Sequence, residues 1–107
     1  MRPLKRAVVL GAGVMGAQIA AHLANAGVEV DLLDIVPPAP TPEETARGLT
    51  LDDRAVRDRF ALVGLERLRT LKPSPVFSAA ALARIHPGNV EDDLERVARA
   101  DWVIEAI

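Results

Sequence analysis

The stretch Lys5-Arg6-Ala7-Val8-Val9-Leu10-Gly11-Ala12-Gly13-Val14-Met15-Gly16 decides how this chain is read. Its first half is a continuous apolar run, β-branched in part, that stops at a glycine, which is the pattern of a short buried strand over residues 5–10. Its second half is a GxGxxG. Three glycines at those spacings arise often by chance in Ala- and Gly-rich sequence, so the neighbours decide their meaning. Over residues 14–26, Met15, Ile19, Ala20 and Leu23 recur at spacings of three and four, opposite a stripe of Gln18, His22 and Asn25, which predicts a helix closed by Gly27. A second apolar strand follows over residues 28–33 and ends in Asp34. A glycine turn between strand and helix, then a strand ending in an acid, is the arrangement a dinucleotide-binding unit requires.

Each position has a physical task. Gly11 permits the tight turn out of the strand, Gly13 lets backbone approach a pyrophosphate, and Gly16 lets the helix lie close on the sheet. The helix start, with Ala12, Val14 and Met15 beside the glycines, offers free amides and a positive dipole end to phosphates. Asp34, eighteen residues beyond Gly16, would accept hydrogen bonds from the adenosine ribose hydroxyls. A carboxylate there repels a 2′-phosphate, and Ile35 and Val36 supply no arginine to reverse that, so NAD is expected and not NADP. FAD is bound by similar units, and the motif alone leaves it open. So does a plain structural turn with Asp34 merely starting a loop.

Working outward, Val36-Pro37-Pro38-Ala39-Pro40-Thr41-Pro42 can hold neither a ladder nor a helix interior and reads as a stiff connection. Thr41-Pro42-Glu43-Glu44 has the signature of a helix start, with Thr41 as cap and Glu44 reaching back. A longer helix is expected over residues 53–72, with Val56, Phe60, Val63, Leu68 and Leu71 along one side and Lys72-Pro73-Ser74-Pro75 ending it. Ser78 can cap a short helix through Ala83. Residues 85–90 form a third strand, weakened by Pro87 and Gly88 and therefore placed at an edge. Residues 92–99 read as a short helix and residues 102–107 as a fourth strand. The fold class expected is α/β, a partial doubly wound parallel sheet of strand order 3-2-1-4, with the dinucleotide across the carboxyl ends where strands one and four diverge.

Composition narrows the function. The 107 residues are half apolar and contain no cysteine, which excludes disulfides, thiolate metal sites and a cysteine nucleophile. The net charge of −2 gives no electrostatic footprint for nucleic acid, and no apolar run is long enough to span a membrane. Arg2, Lys5 and Arg6 before the apolar run imitate a secretory leader, but Gly11, Gly13, Gly16, Gln18 and His22 interrupt it; the cytoplasm is the expected compartment. Between Arg54 and Lys72, six basic residues face two acidic ones. His22 lies on the polar stripe and reads as a solvated side chain. His86 has no partner at metal-ligand spacing, and Glu105 is either a site-lining or a paired carboxylate.

Several stretches together, Gly11 to Ala20, Leu23-Ala24-Asn25-Ala26-Gly27, Leu32-Leu33-Asp34-Ile35, Gly48-Leu49-Thr50-Leu51-Asp52, Ala55-Val56-Arg57-Asp58-Arg59, Pro87-Gly88-Asn89-Val90-Glu91-Asp92-Asp93-Leu94 and Asp101-Trp102-Val103-Ile104-Glu105-Ala106, resemble the amino terminus of L-3-hydroxyacyl-CoA dehydrogenases. The likeness is to the long bacterial fatty-acid β-oxidation type, members of which often carry an enoyl-CoA hydratase domain. It implies a Rossmann-type NAD-binding domain over residues 1–107, interrupted after the second strand by a helical arm, about residues 42–72, that reaches toward CoA. On that implication Arg69 and Lys72 are candidate substrate contacts and Ala106 and Ile107 backbone contacts to the cofactor. The family's catalytic histidine, glutamate, serine and asparagine are expected beyond Ile107, so no catalytic residue is assigned here. The partner expected is an acyl-CoA substrate, with neither nucleic acid nor membrane; self-association stays open. Two alternatives remain, a β-hydroxyacid dehydrogenase of the 6-phosphogluconate type and a non-catalytic NAD-sensing module.

Overall fold

The computed structural model describes residues 4–71 and 78–106. Four parallel strands, β1 (Arg6–Leu10), β2 (Glu29–Asp34), β3 (Ile85–Asn89) and β4 (Trp102–Glu105), form one sheet in the expected order β3-β2-β1-β4. The register sets Val9 beside Leu32 and Ile104, and Asp34 beside Asn89. β3 lies at an edge, where Pro87 can stand without a ladder donor. Helices α1 (Val14–Asn25), α2 (Pro42–Ala46), α3 (Arg54–Arg57), α4 (Arg59–Thr70), α5 (Ala79–Leu82) and α6 (Leu94–Ala98) connect the strands.

The core lies where α1 and α4 cover one sheet face. Ala7 and Val9 of β1 and Val30 and Leu32 of β2 point into it by strand alternation, meeting Ala17, Ala20, Ala21 and Ala24 of α1 and Ala61 and Leu68 of α4. The inner face of α1 is therefore made of small residues. Met15, expected on that face, is 67 % exposed, and Ile19 and Leu23 only flank the core. Periodicity weights large apolar side chains, whereas a helix lying close on a sheet needs alanine and glycine at the contact.

The helix expected over residues 53–72 is two helices. Asp58 ends α3 and begins α4 with a non-helical backbone, and its carboxylate is drawn to Asn89 and to Arg54. The side facing the core also differs. Val56 and Leu68 are buried as expected, but Val63 and Leu71 are exposed, and Ala61 and Gly64 occupy the contact instead. α4 ends at Thr70 with Leu71 in extended conformation, two residues short of the expected end at Lys72, and Lys72-Pro73-Ser74-Pro75 lie outside the described residues.

Local signals were followed closely elsewhere. Thr41 Oγ1 accepts from the Glu44 amide at 3.1 Å and Glu44 Oε1 accepts from the Thr41 amide at 2.8 Å, a complete capping box. Ser78 caps α5 through the Ala81 amide, and Gly27 follows α1 at φ +90°. On the opposite sheet face Val8 and Leu33 are buried, and so is Asp31, which takes Arg6 at 2.8 Å and Arg96 at 3.3 Å. A carboxylate in the middle of a strand is tolerable there only because two guanidinium groups satisfy it. The Arg6 pKa is raised accordingly by its hydrogen bond to Asp31.

Candidate functional site

The glycine turn stands at the carboxyl end of β1. Gly11 has φ +108°, open only to a residue without Cβ at ordinary cost, and its amide reaches Leu33 O at 2.8 Å across to β2. Gly16 lies one helical turn on, where a Cβ would fall inside the van der Waals envelope of the Gly11 carbonyl oxygen and 2.8 Å from its carbon. The close approach of α1 to the turn thus depends on glycine at that position. Gly13 is the contrasting case. It precedes α1 in extended conformation, and nothing lies within 4 Å of where its Cβ would stand. With open room over Gly13, no side-chain cap and no acid in the first turn of α1, the first helical amides have no side-chain acceptor at the helix start. A phosphate fits there by charge and by donor set.

Asp34 closes the other side. Its Oδ2 accepts from the Ala12 amide at 2.8 Å and its Oδ1 from the Ile35 amide at 2.7 Å. The acid at the end of β2 therefore holds the glycine turn itself, a contact the spacing did not reveal. A carboxylate has about four acceptor positions, so two remain for the hydroxyls of a ribose. Val14 and Met15 at the helix start and Ile35 after Asp34 are exposed, 59 %, 67 % and 57 %, and form an apolar rim around this edge. Ala106 joins the group. Its amide reaches Leu10 O at 2.8 Å, and its Cβ would be 3.4 Å from a Cβ on Gly16. Gly11, Ala12, Gly13, Val14, Met15, Gly16, Asp34, Ile35 and Ala106 are thus brought to one end of the sheet; Ile107 lies outside the described residues.

The helical segment is less basic than its sequence. Arg59 pairs with Glu44, Arg57 with Asp92 at 2.7 Å, and Arg54 with Asp93 at 2.9 Å and Asp58 at 3.2 Å. Charges far apart in sequence neutralise most of the excess. Arg69, paired only loosely with Glu66 at 3.2 Å, shares an open concavity of about 810 Å³ with Arg47 and Arg59 over an apolar floor of Leu62 and Val63. Lys72 lies outside the described residues.

The carboxylates that take Arg54 and Arg57 converge on Asn89, which no periodicity singled out. It is fully buried, donates from Nδ2 to Asp58 at 2.7 Å and to Asp92 at 2.9 Å, and accepts at Oδ1 from the Glu91 and Asp92 amides. Hydrogen bonds from Arg57 and Asn89 hold the Asp92 carboxyl down at about 2. The signal was the run Pro87 to Asp93, dense in acids after an asparagine. His22 is exposed, as expected for a solvated stripe. His86 pairs with Glu29 at 2.8 Å near the amino ends of β2 and β3, away from the glycine turn. Glu105 is exposed on β4.

The family model described as "3-hydroxyacyl-CoA dehydrogenase, NAD binding domain" matches residues 6–107. The chain belongs to that family. Its cofactor is accordingly NAD, as the motif and Asp34 predict. It is 50 % identical over 104 residues to a probable 3-hydroxyacyl-CoA dehydrogenase of Bacillus subtilis, covering 97 % of this chain and 13 % of that protein. It is 43 % identical over 104 residues to a probable 3-hydroxyacyl-CoA dehydrogenase of Deinococcus radiodurans, covering 97 % and 26 %. Among solved structures, (S)-3-hydroxybutyryl-CoA dehydrogenase PaaH1 from Ralstonia eutropha superposes with a TM-score of 0.53 at 27 % identity, over 97 % of this chain and 31 % of that one. The chain thus spans about an eighth and a quarter of the two curated relatives. No helix among the described residues is long and apolar enough to cross a membrane.

Proposed function

We propose that this chain is the cofactor-binding part of a cytoplasmic enzyme of fatty-acid β-oxidation that catalyses (S)-3-hydroxyacyl-CoA + NAD⁺ → 3-oxoacyl-CoA + NADH + H⁺. The observation that carries the reading is the pairing of an uncapped helix start over Gly13 with Asp34, which is hydrogen-bonded to the same turn. When bound, the nicotinamide supplies the hydride acceptor. The residues of this chain bind and orient. The amides from Gly13 to Gly16 hold the pyrophosphate, Asp34 takes the adenosine ribose hydroxyls, and Val14, Met15 and Ile35 cover apolar parts of the cofactor. Backbone at Ala106 and Ile107 passes alongside. Because Asp34 is tied to the Ala12 amide before any ligand arrives, its charge stands fixed where a 2′-phosphate would fall, which favours NAD over NADP.

Arg69, with Arg47 and Arg59 around the concavity on α4, supports contact of this segment with the phosphates of CoA; Lys72 belongs to the same reading. Calorimetric titration with NAD and NADP tests the cofactor site. The unmodified chain should bind NAD at least roughly tenfold tighter, a difference of about 1.4 kcal/mol, and Asp34→Arg should lose that preference. Equal or tighter binding of NADP by the unmodified chain would overturn it. The reaction is tested by NADH formation from (S)-3-hydroxybutyryl-CoA with a longer polypeptide that includes this segment; intact NAD binding without NADH formation would favour a sensing role.

A further inference from the structure

We propose that Gly64, in the middle of α4, is a positioning residue for the cofactor's pyrophosphate-binding turn, a proposal that rests on the turn being that site. Glycine is the poorest helix former after proline, and α4 is otherwise a regular helix with Ala61 and Leu68 on the same buried face. A glycine there costs about 1 kcal/mol of helix propensity against alanine, which close packing can offset. Here the close contact is with Ala12. A Cβ on Gly64 would stand 2.6 Å from the Ala12 carbonyl oxygen and 3.2 Å from its Cβ, so the backbone of α4 rests directly on the middle residue of the turn.

Ala12 is then held on several sides. Its amide is taken by Asp34 Oδ2 at 2.8 Å, the preceding Gly11 amide is taken by Leu33 O at 2.8 Å, and α4 closes the carbonyl side. With 4 % of its surface exposed, Ala12 has little room to move. The α4 helix is itself anchored, by Leu68 in the core and by Asp58 on Asn89 at its amino end. The next amides along the chain, from Gly13 into α1, are those that would face the phosphates. A methyl group on Gly64 must push the Ala12 peptide, and the following amides tilt with it. The α4 helix thus serves, through its backbone at Gly64, as a wall of the phosphate cradle.

Calorimetric titration of the chain and of Gly64→Ala with NAD, ADP and adenosine separates this role from a merely structural one. In Gly64→Ala, affinity for NAD and ADP should fall roughly tenfold while that for adenosine, which has no phosphate, stays unchanged and helical content by circular dichroism is retained. An equal loss for all three ligands, or no loss, overturns the proposal. Should Gly64→Ala not fold, hydrogen exchange in the unmodified chain decides: saturating NAD should slow exchange over residues 61–68 as well as 11–16, and protection confined to the turn counts against it. Gly13→Val, which fills open space over the turn, tests the underlying reading. NAD binding unaffected by Gly13→Val removes the pyrophosphate site and this proposal together, whereas loss at Gly13 with none at Gly64 removes this proposal alone.

Discussion

Asn89→Asp is the most informative single substitution, because it changes almost no volume and reverses the electrostatics of one buried atom. Asn89 is fully enclosed, and its Nδ2 stands 2.7 Å from Asp58 Oδ1 and 2.9 Å from Asp92 Oδ2. The substitution removes two hydrogen bonds to charged acceptors, each worth about 1.5–3 kcal/mol, and sets a third carboxylate against two others. Arg54 and Arg57 offset part of the repulsion, since they already pair with Asp58, Asp92 and Asp93. A net loss of about 3–5 kcal/mol is expected, the usual cost of an uncompensated buried charge. Against a total of about 5–15 kcal/mol for a domain of this size, that is about a fifth of the stability or more. Urea unfolding followed by circular dichroism at pH 7 measures it. The pH dependence supplies the sign. The new carboxyl, crowded by carboxylates, has a folded pKa above its unfolded value, so the folded state binds the extra proton and the gap to the unmodified chain should narrow as pH falls from 7 toward about 4. A difference below about 0.5 kcal/mol at pH 7, or a gap independent of pH, would refute the placement of Asn89 as a donor between two carboxylates.

Two further outcomes follow from the same geometry. Gly16→Ala should lower stability by about 2 kcal/mol or more despite a gain of about 1 kcal/mol in helix propensity, because the new methyl meets the Gly11 peptide; a melting temperature equal to or above that of the unmodified chain would be inconsistent with the close approach of α1. Asp92, held at about 2 chiefly by Arg57, contributes stability that is complete above its unfolded value near 4 and is lost as pH falls from about 4 through 2; Glu44, lowered chiefly by the Thr41 amide, contributes in the same direction as its carboxylate is protonated in acid. Thermal melts between pH 5 and 2 should show this loss, and Arg57→Gln should flatten it; an unchanged acid profile in that variant would remove Arg57 as the cause.

Much of the fold was legible because its signals are local. An apolar run ending at Gly11, a helix closed by Gly27, the capping box of Thr41 and Glu44 and the weak strand containing Pro87 each act within a few residues, and each stands where it was expected. The pattern also marked the glycine turn and Asp34, and with them NAD. It misjudged the faces of α1 and α4, where Met15 and Val63 look outward and alanine and glycine look in. Hydrophobic periodicity ranks side chains by apolar size, and a contact between close backbones selects the smallest.

By itself the sequence determined a parallel α/β unit with a glycine turn between its first strand and helix, since strand, glycine, helix and acid act through short-range geometry and charge. Only the tertiary structure decided what holds that turn. Asp34 reaches the Ala12 amide, Gly64 seats α4 on the same residue, and Asn89 joins the carboxylate of the distant Asp58 to that of the neighbouring Asp92. Asp34 and Ala12, Asn89 and Asp58, and Gly64 and Ala12 are separated by 22, 31 and 52 positions along the chain, so their pairing is set by sheet register and helix docking, which no local spacing encodes.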